Sequence, residues 1–281
     1  MNEQLQAIRD KQKDSWNKFS GGWKKWNTFT MDFLKPMGDA IINSLNIQAN
    51  DVVLDIASGT GEPAFSIAAL ATNGKVYATD VADQMLNVAK EYAGENNIRN
   101  IEFKVADVSE LPFENNFFDK ISCRMGFMFF PDMQLAANEL FRVCKSNGKV
   151  ATAVWGAAEN NEWVTIMMKV LSNNIQMPQP PPGAPGMFRC AKPGLIKDIF
   201  EKAGFRNVKE ETITGKIIYD SIDDYWLNMN EIAAPVVGAL SKADDATRQK
   251  IKDEVFEACK NKLINKQLVL DHASIIISAE K

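Results

Sequence analysis

The chain has 281 residues and a formal net charge of −4, with lysines and arginines scattered rather than gathered, so the basic footprint of a nucleic-acid binder is missing. Its composition is that of an ordinary globular chain, long enough for one large α/β domain with insertions. No apolar run reaches membrane-spanning length, the polar start from Met1 to Lys13 lacks the apolar stretch of a signal peptide, and Cys123, Cys144, Cys190 and Cys259 form no CxxC pair and have no histidine cluster beside them, which reads as reduced thiols of a cytoplasmic protein.

Residues 1–45 read as helical. Trp16, Phe19, Trp23, Trp26, Phe29 and Phe33 recur at steps of three or four, many of them along one face. Gly21-Gly22 is expected to split the segment into two helices. From Asp51 to Trp155 strand and helix patterns alternate. Strands read at Val52–Ile56, Lys75–Thr79, Ile101–Val105, Phe118–Cys123 and Lys149–Trp155, with helices at about 63–71, 82–96 and 134–143 between them. Gly74 and Gly148 each follow a predicted helix, where a left-handed C-cap is expected. Such alternation implies βαβ units and a parallel sheet.

After Trp155 the rhythm changes. Residues 162–175 form a helix candidate, and Pro178 to Pro185 holds five of the eleven prolines, so an extended, stiff segment is expected there. A helix at 193–203 with a Gly204 cap and a strand near 208–218 resume the α/β pattern. Helices at about 222–240 and 244–263 follow, and a strand closes the chain at Leu268–Ser278. Insertions are therefore expected at about 156–190 and 220–265.

The stretch from Val52 to Gly61 carries most of the functional signal. A buried strand ends in Asp55, passes through Ala57-Ser58-Gly59-Thr60-Gly61 and enters a helix. Glycines there let a ligand approach the backbone. Gly59-Thr60-Gly61 with Asp80 about twenty residues on also fits a dinucleotide turn. Asp55 before the turn, Asp80 at the end of the second strand, Ala106-Asp107-Val108 after the third, and then Leu111-Pro112-Phe113 and Phe117-Phe118-Asp119 together resemble the class I S-adenosylmethionine (SAM)-dependent methyltransferases, with Ala57 where the first motif glycine would stand. Arg124-Met125-Gly126-Phe127-Met128-Phe129-Phe130 and Gly183-Ala184-Pro185-Gly186-Met187-Phe188 narrow the resemblance to the branch of ubiquinone/menaquinone-biosynthesis and natural-product enzymes. Cys123-Arg124-Met125-Gly126 stands where DNA-adenine methylating branches carry Asn-Pro-Pro-aromatic, which disfavours nucleic acid as acceptor.

The resemblance implies a Rossmann-like α/β fold: seven mostly parallel strands, an antiparallel last strand, helices on both faces and helical cap insertions, with residues 1–45 as a lid and 46–281 as the SAM domain. It implies that Asp55 organises the glycine loop and the amino end of the methionine moiety, that Ala57, Ser58, Gly59 and Gly61 bind the cofactor, that Asp80 accepts both ribose hydroxyls, and that Asp107, with Ala106, faces the adenine. Val81, Met85 and Val108 would wall the adenosine. Arg124 and Met125 would lie beside the methionine part, Arg124 meeting a cofactor or substrate carboxylate or pairing with a structural acid.

None of the six tryptophans lies between Asp51 and Val154. They are read as packing residues, or as an aromatic acceptor pocket with Trp23 or Trp26 at the site and Phe130, Trp155, Met187 and Phe188 beside it. His272, the single histidine, is a weak candidate for a general base; Tyr219 and Tyr225 are no stronger. No metal cluster is evident, so metal-independent methyl transfer to a small, partly apolar acceptor is expected. An NAD(P)-dependent oxidoreductase and a non-catalytic SAM binder are the rival readings, and the oligomeric state stays open.

Overall fold

The computed structural model describes residues 3–177, 181 and 183–281. Half of the proline-rich segment expected to be extended (Pro178, Gln179, Pro180 and Pro182) lies outside them.

The strands are β1 Val52–Ile56, β2 Lys75–Asp80, β3 Ile101–Val105, β4 Phe118–Arg124, β5 Cys144–Trp155, β6 Arg206–Tyr219, β7 Leu263–Ile264 and β8 Gln267–Glu280. The helices are α1 Glu3–Lys25, α2 Asn27–Leu45, α3 Ala64–Leu70, α4 Asp83–Glu95, α5 Met133–Val143, α6 Glu162–Asn174, α7 Leu195–Ala203, α8 Ile222–Ile232, α9 Ala234–Leu240 and α10 Asp245–Cys259. The sheet runs β3-β2-β1-β4-β5-β8-β6. The first five strands are parallel, and β8 is antiparallel to both β5 and β6. The two-residue β7 folds back on β8 through Asn265 and Lys266, both at positive φ, the conformation a two-residue hairpin turn demands.

Apart from Asp55, β1 is apolar because both its faces are covered. Val53 faces Ala64, Ile67 and Ala68 of α3, whereas Leu54 and Ile56 belong to the large core that also takes Leu34, Met37 and Ile41 of α2. Chain order reverses between β1 and β4, so their adjacent carboxyl ends leave a crevice, the usual ligand position in such sheets. Helices of the two insertions pack on each other (α6 on α10 and α9), and α1 lies against α4 and α8.

Several expectations change. The N-terminal break falls at Trp26, not at Gly21-Gly22, which lie inside α1. A glycine in a helix costs only about 1 kcal/mol, and Gly22 has a packing reason: a Cβ there would strike the carbonyl of Glu231 on α8. Gly21 has nothing within 4 Å of its would-be Cβ. Gly21→Ala is therefore expected to raise, and Gly22→Ala to lower, the thermal unfolding midpoint by a few degrees each, because overpacking typically costs about 1–3 kcal/mol. Gly204 caps α7 in the left-handed region as expected, but Gly74 and Gly148 do not. Gly74 sits against the Asp51 backbone, and Gly148 lies within β5, which starts at Cys144. The helix expected over 222–240 divides at Ala233, ahead of Pro235. Among the described residues no helix is long and apolar enough to cross a membrane.

Candidate active site

The carboxyl ends of the first four strands open onto a cavity of about 370 Å³, closed on its other side by α1, α2 and α8. Its floor is the turn after β1. Ala57 and Gly59 both take positive φ, and Gly61 stands at φ 114°, where a side chain would be strained and a Cβ would enter the Phe65 ring. Ala57 holds this conformation in spite of its methyl. The room comes from Gly126, where a Cβ would lie 2.6 Å from that of Ala57.

Carboxylates order the turn from beneath. Asp80 accepts hydrogen bonds from the Gly59 N–H at 2.9 Å and the Ala82 N–H at 2.8 Å, joining the turn to the start of α4. Burial raises its pKa, and these backbone donors oppose the shift. Asp55 is fully buried at the end of β1. The Ser122 hydroxyl donates to its Oδ1 at 2.6 Å, while Oδ2 has no partner among the described residues. Burial pushes its carboxyl up to about 7, against the pull of the Ser122 hydrogen bond and the Arg124 charge.

Asp107 caps its own loop through the Ser109 N–H at 2.8 Å and meets Arg9 of α1 at 3.4 Å. Arg124 is held by the Leu34 carbonyl at 3.3 Å and the Met31 sulfur at 3.1 Å, both on α2. Burial lowers its pKa to about 10, so it stays cationic at neutral pH. The structural ion pair considered for it is not formed among the described residues.

Ala57, Ser58, Gly59, Asp80, Val81, Met85, Ala106, Asp107, Val108, Arg124 and Met125 all line this cavity, as do Trp23, Phe130, Trp155 and Met187. Five candidates do not. Asp55 and Gly61 support the turn from behind. Trp26 points its indole N–H at Glu231 and ties α1 to α8, and Phe188 packs on the core instead. His272 is 3% exposed, with Phe33 of the cavity wall edge-on against it at 5.1 Å, and burial lowers its pKa. It is not part of the cavity lining, which leaves the general-base reading without support from the geometry.

The sequence reading missed Arg9, Phe29, Thr30, Phe33 and Asn228, all in the wall. The aromatics were visible as a helical stripe. Nothing local marks Thr30 or Asn228, which reach the cavity only through the packing of α2 and α8.

Comparison with known proteins places these features. The family described as Methyltransferase domain matches residues 47–204, more than half of the chain. An uncharacterised protein of Mycobacterium bovis is 31% identical over 124 residues, 44% of this chain and 44% of that protein. The chain thus spans under half the length of that relative. The ubiquinone/menaquinone biosynthesis C-methyltransferase UbiE of Rickettsia prowazekii is 27% identical over 230 residues, 80% of this chain and 76% of that one. The crystal structure of the YcgJ protein of Bacillus subtilis shares the fold, with a TM-score of 0.59 at 20% identity over 87% of this chain and 97% of that chain. The chain therefore belongs to the methyltransferase-domain family, within the class I SAM-dependent methyltransferase superfamily and related to the UbiE/menaquinone methyltransferases.

Proposed function

We propose that the protein transfers a methyl group from SAM to a small, partly apolar acceptor bound in the same cavity. The observation that carries this reading is the two-sided character of the cavity. Its sheet side presents a glycine turn and two strand-end acids, and its helical side presents an aromatic wall. The chain's residues fit the cofactor. Asp80 has lone pairs to spare for the ribose hydroxyls after serving Gly59 and Ala82. Asp107 stands beside Val108 where an adenine amino group would be met. Arg124 is a buried cation without an ion-pair partner among the described residues, suited to a carboxylate.

SAM supplies a methyl group already activated by its sulfonium, so the protein's task is alignment and exclusion of water. The aromatic wall of Trp16, Trp23, Phe29 and Phe129 suits a flat or apolar acceptor, and electron-rich rings tolerate a sulfonium nearby. In this reading α1 and α2 act as a cover. Arg9 bonds Asp107, Asn17 bonds Asp83 at 3.0 Å, and Asn27 accepts from Thr60 at 3.2 Å, so both helices are pinned to the loops that would touch the cofactor.

Thermal unfolding with added ligands tests the reading. S-adenosylhomocysteine at one hundred times its dissociation constant contributes about 2.7 kcal/mol, roughly 5–10 °C for a chain of this size, and NAD(P) contributes nothing. Stabilisation by NAD(P) alone favours the oxidoreductase. Stabilisation by S-adenosylhomocysteine without turnover of labelled SAM on any small-molecule fraction favours a non-catalytic binder.

A further inference from the structure

The helical side of the cavity holds polar groups that have no hydrogen-bond partner among the described residues. Asn228 is fully buried on α8 and its Nδ2 has no partner; Thr30 of α2, 3% exposed, leaves its hydroxyl unpaired; and the indole N–H of Trp23 on α1 is likewise buried and unpaired. All three residues line the cavity. They belong to one joined patch. The Tyr219 ring packs on Phe29, next to Thr30, at 4.7 Å, its hydroxyl bonds Asn228 at 3.1 Å, and Gly22, next to Trp23, abuts Glu231 one turn along α8.

The polarity of the patch is set by Tyr219. Buried and with its pKa pushed up, that phenol keeps its proton and donates it to Asn228 Oδ1. The amide is thereby oriented with its NH₂ away from Tyr219 and free to donate. Trp23 can only donate and the Thr30 hydroxyl can do either. The lining contributed by α1, α2 and α8 contains no carboxylate. Buried donors without acceptors are rare and costly in folded proteins, and here two of them, with a hydroxyl, face a single apolar space.

Resting on the methyltransferase reading above, we infer that this patch is the acceptor-recognition subsite, in which Asn228 donates a hydrogen bond to an oxygen of a flat, otherwise hydrocarbon acceptor. Tyr219 is a positioning residue, holding the amide in its donating orientation. The subsite selects flat acceptors that present a carbonyl oxygen to the Asn228 amide. It disfavours cationic amines, which would find donors and no carboxylate, and plain hydrocarbons, which would leave the donors unpaired.

The test uses a matched pair of fragments on protein saturated with S-adenosylhomocysteine. 1-Tetralone offers a carbonyl on a fused-ring frame, and tetralin is the same frame without it. In ligand-observed NMR titrations 1-tetralone is expected to bind at least fivefold more tightly than tetralin. Asn228→Leu is expected to abolish the preference while binding S-adenosylhomocysteine as the parent does, which also reports that the variant is folded. Thr30→Val, nearly isosteric, is expected to reduce the preference and serves if Asn228→Leu does not fold. Equal binding of the two fragments, no binding of 1-tetralone, or a preference that both variants retain overturns the subsite. Failure of the methyltransferase reading is separately visible, as loss of S-adenosylhomocysteine binding by the parent protein while the carbonyl preference persists.

Discussion

Replacing Asp80 by alanine is expected to weaken S-adenosylhomocysteine binding by about 10²-fold or more in calorimetric titration. The side chain has two duties. It accepts the N–H groups of Gly59 and Ala82, holding the turn in the shape the cavity needs, and in the proposed complex it accepts the ribose hydroxyls. Hydrogen bonds to a charged group contribute about 1.5–3 kcal/mol each, so losing two corresponds to roughly 10²–10⁴ in affinity. Asp80→Asn keeps one acceptor oxygen and is expected to lose less. Burial raises the Asp80 pKa, and the ribose is bound by the ionised form, so parental affinity should fall as pH drops toward that raised value. The asparagine variant, which cannot titrate there, should lack this component. An alanine variant binding like the parent would sink the assignment.

The glycine turn and the strand-end acids were legible in the sequence because their roles are local. A buried parallel strand is a continuous apolar run, the turn after it demands residues tolerant of positive φ, and the acids stand at the ends of the next strands. The closing strand could be placed and its antiparallel sense came with the family resemblance, but its insertion between β5 and β6 is visible only in the structure. The helical side of the site was far less legible. Gly22 reads as a helix breaker until Glu231, distant in sequence, is seen against it. Trp26 and Trp23 are one helical step apart and look equivalent, yet one bonds Glu231 at the helix junction and the other faces the cavity. Asn228 sits in a helix with no motif around it, and its meaning depends on Tyr219, nine residues earlier on β6. His272 drew notice for its chemistry alone, and its place in β8 against Phe33 removes it from the reacting space.

Asparagine in place of Asp55 is expected to make the ligand-free protein more stable and its binding of SAM weaker. Complete burial carries the Asp55 carboxyl from its ordinary value of 3.8 up to about 7 in the folded state. Folding then takes up a proton between these values, so this group's contribution to stability is greatest near pH 4 and declines as pH rises to about 7, beyond which it is constant. At 1.36 kcal/mol per pH unit the charge costs about 4 kcal/mol at pH 8, equivalent to a midpoint rise of roughly 8–15 °C when it is removed. Asparagine preserves the acceptor for Ser122, bonded at 2.6 Å, and places its NH₂ where Oδ2 already lacks a partner, an unpaired neutral donor costing less than a buried charge. The gain over the parent should shrink toward nothing as the pH falls to about 4, and thermal unfolding across this range reads it directly. Such a costly charge persists in the fold only if something repays it. In the proposed complex that is the ammonium group of SAM, seated on the turn that Asp55 backs and acting on its carboxylate across that turn, so Asp55→Asn should bind SAM more weakly at pH 8 while unfolding at higher temperature. A variant that is less stable than the parent at pH 8 would show that the carboxylate is fully compensated without ligand, and the exchange of stability for binding would fall with it.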